Sequence, residues 1–288
     1  MTLHLVRISG LITFLVLCTF YPFLSGKYDG LAVPLSTMAQ IFGVIGLLLV
    51  PVGVSWLIYE LRKRARGKRN LPTKARGYYF AMASMVASSI VAIAISLSAF
   101  VNIGLSFGLL TLALWCYVVA RLRPGLKLLK GPQAESFNHV PLYLVFIPCI
   151  VLIFQLALAP RATNFSRNRA IVQSAELIGD IEEYHARYGS YPRSLLALHK
   201  DYKPSVVGIE QFHYAPNGQA YNLSFEQPTF VTDFGIREIV MYNKLNEHLM
   251  VSHAAWILAG APENLEARQG WHSSHDASIQ HWKYFWFD

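Results

Sequence analysis

Five apolar stretches, at residues 8–24, 39–59, 78–100, 103–120 and 140–159, fill most of the first half of this 288-residue chain. Each is near the roughly 20 residues that cross a hydrocarbon core about 30 Å thick. The remaining residues could not bury this much apolar surface in a soluble core, so an α-helical membrane bundle of about five transmembrane helices is expected. Composition agrees, because 53% hydrophobic and 15% charged residues are too apolar for a soluble domain. The third and fourth stretches meet at Val101 and Asn102. A single helix through both would be about 65 Å long at 1.5 Å per residue, so a tight helical hairpin turning at Asn102 is expected.

Basic residues orient the bundle, since Lys and Arg near span ends are retained on the cytoplasmic side. Residues 61–77 hold Arg62, Lys63, Arg64, Arg66, Lys68, Arg69, Lys74 and Arg76 with no acid, and the loop after the fourth span adds Arg121, Arg123, Lys127 and Lys130. The alternate loops hold little beyond Lys27 and Asp29. The expected topology has a cytoplasmic amino terminus and places everything after Ala159 outside, in the periplasm of a bacterial inner membrane protein. The first stretch also has features of a signal peptide, with Arg7 before it and Ser25-Gly26 after it. Its length and the lack of an Ala-x-Ala site favour a retained span. Residues 1–159 carry 14 Lys and Arg against 3 Asp and Glu, and the rest carry 11 against 14. The pI of 9.4 therefore reflects loops beside acidic headgroups and not a nucleic-acid surface.

An ionisable side chain deep in a span commonly marks a transport path or a proton relay. Here Arg7 and Glu60 fall at span ends, and Gln40 and Gln155 are neutral, which argues against an ion pump. Ser84, Ser88, Ala92 and Ser96 recur every four residues and predict a smooth stripe against a neighbouring helix of the same chain, in preference to a homodimer face.

Residues 160–288 form a second domain of α+β character. Its sequence has no cysteine, as Cys18, Cys116 and Cys149 all precede it, which excludes a disulfide framework, a thiol enzyme or a Cys-ligated zinc module. Ile171, Ala175, Ile178, Ile181, His185 and Tyr188 recur at helical spacing opposite Glu176, Asp180, Glu182, Glu183 and Arg187. Gly189 is placed to end that helix and Pro192 to prevent its continuation. Asn217-Gly218 between extended runs predicts a hairpin, and Tyr221, Leu223 and Phe225 alternate with Asn222, Ser224 and Glu226, so one face of the second strand meets a core. A second hairpin is expected from 238–242 and 248–253. The tail Trp282-Lys283-Tyr284-Phe285-Trp286-Phe287 reads as a final core strand. The expected domain is one long helix packed on an antiparallel sheet.

The succession of a long helix, then Tyr184-His185-Ala186-Arg187-Tyr188-Gly189-Ser190-Tyr191-Pro192-Arg193-Ser194-Leu195, then Tyr214 to Leu223 with Asn217-Gly218, resembles the globular part of type IV pilins and type II secretion pseudopilins. The resemblance covers about residues 168–225. It implies a pilin-like fold in which Tyr184, Tyr188, Tyr191 and Leu195 lock the Tyr-Pro turn to the helix. A pilin has one amino-terminal span and a leader-peptidase site with Glu five residues into the mature helix. This chain has four earlier spans and no such site, and Pro160 is expected to interrupt the stem. The resemblance thus implies a pilin-like domain held permanently by a bundle, not a filament subunit.

Chemistry-bearing patterns are sparse. His272, His275 and Asp276 lie close in sequence with His281 nearby, residue types that suit zinc, copper or nickel, although the spacing matches no known motif. Gly-x-Ser-x-Gly, His-Glu-x-x-His and Gly-rich phosphate loops are absent from residues 160–288. The function expected is non-catalytic, without a cofactor: an integral inner-membrane protein, in contact with the bilayer and not with nucleic acid, whose external domain binds another envelope protein or component. The alternatives are a ligand or metal sensor using the histidine-rich end, and a membrane enzyme acting on lipid or glycan.

Overall fold

Each of the five apolar stretches lies for most of its length in a helix: α1 (Thr2–Phe20), α2 (Ala32–Gly67), α3 (Arg76–Asn102), α4 (Leu105–Lys127) and α5 (Val140–Tyr188). All five contain segments long and apolar enough to cross a membrane. The computed structural model describes residues 2–67, 76–102, 105–127, 137–233, 236–248, 250–251, 258–260 and 272–287. Lys68, Arg69, Lys74, Lys130 and residues 103–104, which follow the expected turn at Asn102, lie outside the described residues. The chain divides into two units, Met1–Val16 with Met38–Gln155, and Leu17–Thr37 with Leu156–Asp288.

In the first unit, missing side chains allow the helices to approach. A Cβ on Gly53 would lie 2.8 Å from Leu144 Cβ on α5, and one on Gly125 of α4 would lie 2.7 Å from a ring carbon of Trp56. Larger residues there would force backbones apart. The small-residue stripe packs within the chain, as expected: Ser88, Ala92 and Ser96 are buried, and the Ser88 hydroxyl donates to the Leu48 carbonyl of α2. The two neutral amides pair, Gln155 Nε2 donating to Gln40 Oε1 at 3.1 Å, which satisfies polar groups that lipid could not. Because α2 runs on to Gly67, Glu60 lies within the helix and is 3% exposed, its carboxylate accepting the Asn138 backbone N–H at 3.5 Å.

The second unit packs the later turns of α5 on a five-stranded antiparallel sheet. Its strands are β1 (His213–Asn217), β2 (Ala220–Gln227), β3 (Arg237–Asn243), β6 (His272–Asp276) and β7 (Trp282–Phe287), in the order β1-β2-β3-β7-β6. A separate pair joins β4 (Met250–Val251) to β5 (Leu258–Gly260). Three sequence expectations are corrected. First, Pro160 does not interrupt the helix; the lost backbone bond is one among many, and α5 is held beyond it by its own packing. Second, β3 does not form a hairpin with the chain after His248. It pairs with β2 and β7, since the aromatic tail offers more apolar surface than 248–253, of which 249 and 252–253 lie outside the described residues. Third, the helix stripe facing the sheet is Ala170, Ile171, Ser174, Leu177 and Ile181, all buried, while Ala175 is exposed. Ser174 is tolerated in the stripe because its hydroxyl donates to the Ile171 carbonyl at 2.6 Å.

The tail does form a core strand, and Trp282 and Phe285 are buried on opposite faces of the sheet. Tyr221, Leu223, Phe225, Val240 and Trp282 meet the helix stripe in one cluster. Each fully buried aromatic or aliphatic side chain there contributes about 1.5–3 kcal/mol.

The connection between α1 and α2 belongs to this same unit. Gly26 and Asp29 donate backbone N–H bonds to Ser205 and Val207, and Val207 and Gly208 donate in return to Leu24 and Pro22, at 2.8–3.1 Å. Phe23, 1% exposed, stacks on Phe230 at 4.5 Å with the rings 8° apart. Gly208 permits the contact, since a Cβ there would stand 2.7 Å from Pro22 Cβ and 2.6 Å from Pro228 Cγ.

Candidate functional site

The turn after α5 is built as its residue types dictate. Gly189 takes φ +70 and donates its N–H to the His185 carbonyl at 2.8 Å, closing the helix in a left-handed conformation that costs a residue with a Cβ energy. Gly189→Ala is expected to lower stability by about 1–2 kcal/mol, read as a fall in the thermal midpoint of the detergent-solubilised protein. Tyr191 stacks on His185 at 4.2 Å and meets Tyr221 edge-on at 5.1 Å. The Tyr214 hydroxyl donates to the Pro192 carbonyl at 2.9 Å, and Leu195 packs on the core. Tyr191, Pro192 and Leu195 thus join the turn to the helix and the sheet. Tyr188 does not lock the turn: it is 60% exposed and touches Tyr184, and His185 takes the stacking position. Asn217 ends β1 and Gly218, at φ +58, opens the two-residue turn to β2.

The histidine-rich end is pulled apart by strand alternation. Positions 272 and 276 of β6 fall on one face and 275 on the other. His275 stacks on Tyr284 at 5.0 Å and bonds to Ser273 Oγ at 2.9 Å. Asp276 stands 3.9 Å from Lys283 Nζ. His281 lies in the following turn with Nδ1 3.1 Å from Asn246 Oδ1. Among the described residues, no three His, Cys, Asp or Glu side chains gather where they could hold one metal ion.

A groove of about 540 Å³ opens beside the edge strand β1. The Tyr-Pro turn supplies Arg193 and Leu196 to its wall, the next loop supplies Lys200 and Lys203, and the sheet supplies Asn222, Ser224 and Met241. Lys200 is engaged by Asp180 at 2.6 Å and Glu176 at 3.2 Å, and Lys203 by Asp201 at 3.1 Å. Arg193 is exposed. Asn222 is 2% exposed and its Nδ2 has no hydrogen-bond partner, while its Oδ1 accepts from Asn243 at 2.9 Å.

The electrostatics of the rim follow from these contacts. The Lys200 ammonium, and secondarily the Tyr202 hydroxyl, hold the Asp180 carboxyl below its ordinary range. Burial first, then the bond to Asp180, pushes the Tyr202 phenol up. A carboxyl whose folded pKa lies below its unfolded value stabilises the fold above the unfolded pKa, and that contribution is lost as pH falls through the folded one. Asp180→Asn is therefore expected to melt below the native protein at neutral pH, and the gap to close as pH falls below the ordinary aspartate range. A gap constant across a pH series of thermal scans would contradict this account.

Sequence reasoning singled out none of Arg193, Asn222 and Ser224 for binding. Asn222 and Ser224 were legible only as the polar side of a half-buried strand, and nothing local shows that Asn222 is buried with a free donor. The buried pair Arg167 and Glu238, 71 residues apart, was equally hidden. Arg167 Nη2 and Nε reach Glu238 Oε1 at 2.7 and 2.8 Å. The guanidinium also donates to Asn164 Oδ1 at 2.9 Å and lies 3.8 Å from the centre of the Tyr284 ring. Trp286 Nε1 donates to the other carboxylate oxygen at 2.8 Å. No family model, curated protein or solved structure matches this chain.

Proposed function

We propose that this chain is a non-catalytic integral protein of a bacterial inner membrane, with its amino terminus in the cytoplasm and a pilin-like domain in the periplasm that binds another envelope protein. Lysine and arginine concentrated in alternate loops support the orientation. The hydrogen bonds between residues 22–29 and 205–208 support, independently, that the loop after α1 and the domain after α5 share one side of the membrane. Four helices, α2 to α5, separate the two segments, and four crossings return a chain to the side it left. A single long helix laid on an antiparallel sheet, with the Tyr-Pro turn between them, supports the likeness to pilins.

The observation that carries the binding role is the groove beside β1. It is of the size that ligand sites take, and it combines apolar walls with buried polar groups in a domain that supplies none of the hydrolase signatures sought in the sequence. Two measurements test the proposal. A periplasm-dependent reporter fused after Asp288 is expected to be active, and a cytoplasm-dependent one silent; the reverse result would overturn the orientation. Photo-crosslinking residues on the domain surface are expected to capture a discrete envelope protein in intact cells, and capture of lipid alone would overturn the binding role.

A further inference from the structure

We infer that the groove beside β1 binds an extended segment of a partner protein through a carboxylate on that segment. The inference rests on the partner-binding role proposed above and names what the site recognises. The argument is one of donors and acceptors. Asn222 Nδ2 is a buried donor with no partner, and its wall of the groove also holds the Ser224 hydroxyl. A buried donor left unsatisfied costs about 1–3 kcal/mol, which an incoming acceptor recovers. The register of β1 on β2 closes at Asn217 and Ala220 around a two-residue turn. By alternation, residues 213, 215 and 217 bond to β2, and the backbone of Tyr214 faces away from it, adding an N–H on the open edge.

Charge points the same way. The groove is lined by Arg193, Lys200 and Lys203 against the single acid Asp201. The two lysines are already met by carboxylates, which leaves the Arg193 guanidinium, a planar fork suited to carboxylate. The Arg193 guanidinium, the Asn222 amide and the Tyr214 N–H are donors, and a carboxylate-bearing peptide supplies acceptors to them along its backbone as well as at its charge. Leu196, 85% exposed on the rim, together with the Met241 side of the groove, offers apolar contact to intervening side chains. Pro216 on the same edge lacks an N–H, which confines backbone pairing to the stretch near Tyr214.

The test uses the full chain in lipid nanodiscs and a displayed library of random decapeptides. Selected peptides are expected to be enriched in Asp and Glu, and a synthetic selected peptide to lose at least tenfold in affinity against Arg193→Glu, an exposed substitution that leaves the fold intact. Asn222→Leu is expected to weaken the same peptide, and to lower the melting temperature as well because the buried Asn243 amide loses its Asn222 acceptor. Recovery of no peptide, recovery without acidic enrichment, or indifference to Arg193→Glu would each overturn the inference. So would equal competition by glutarate or by phosphatidylglycerol vesicles, which would assign the groove to a small anion or a lipid surface. In cells, a photo-crosslinker at Leu196 is compared with one at Val172, 57% exposed on α5. Capture of an envelope protein from Val172 alone would leave the partner-binding role standing and remove the groove from it, and capture from neither position would remove both.

Discussion

Arg167→Met is expected to destabilise the second unit by about 3–5 kcal/mol, the range for removing one partner of a buried ion pair. The Arg167 and Glu238 side chains are 8% and 4% exposed, so the substitution strands a carboxylate where water does not reach it. Trp286 Nε1 would remain as a donor to Glu238 and cannot balance a full charge. The loss extends to packing, because the guanidinium also covers the Tyr284 ring. Urea titration of the solubilised protein, followed by tryptophan fluorescence from Trp282 and Trp286, measures it. Arg167→Met combined with Glu238→Leu is expected to recover most of the loss, since an apolar pair of similar volume often replaces a buried ion pair without penalty. If the double variant is as unstable as the single one, the stranded charge is not the cause. A loss under 1 kcal/mol in the single variant would mean that the pair is solvated.

Phe23→Ala is expected to cost about 3–5 kcal/mol, as for other aromatic truncations in well-packed sites. Phe23 is 1% exposed and stacked on Phe230, and it lies between the backbone bonds at Pro22 and Leu24. Truncation would therefore open a cavity inside the clasp between residues 22–29 and 205–208. Protease sensitivity near residues 203–208 is expected to rise before global unfolding, because the clasp is the local tie on that loop. Gly208→Val reaches the same end by a different route: the added Cβ would collide with Pro22 and Pro228, and the loop would separate with Phe23 intact. If both variants match the native protein in melting temperature and cleavage pattern, the clasp does not hold the loop.

The elements were legible from sequence to different degrees, for physical reasons. Gly189 and Gly218 could be read as punctuation because left-handed φ is a local requirement that glycine meets at least cost. The alternation of Tyr221, Leu223 and Phe225 was legible because the pleat has period two. The helix stripe was read in phase at Ile171, Ile178 and Ile181, but Ala175 was taken for a core residue and Ser174 and Leu177 were passed over. A small side chain shows no preference strong enough to fix a helix's rotation, and a serine satisfied by its own helix carries no outward sign of burial. The strand after β3 was misplaced because many segments can compete for one edge, and the winner depends on how much surface each buries.

By itself, the sequence determined the apolar runs, the side-to-side asymmetry of basic loops, the helix stop at Gly189 and the turn at Gly218. All of these follow from interactions within a few residues or from each residue's transfer between water and lipid. Tertiary structure alone decided that Trp282–Phe287 pairs with β3, that Arg167 meets Glu238, that residues 22–29 clasp 205–208, and that Asn222, its Nδ2 buried without a partner, lines a groove together with Arg193. Each of those depends on residues far apart in the chain competing for the same buried surface or the same polar partner, and that competition is settled only when the whole chain is folded.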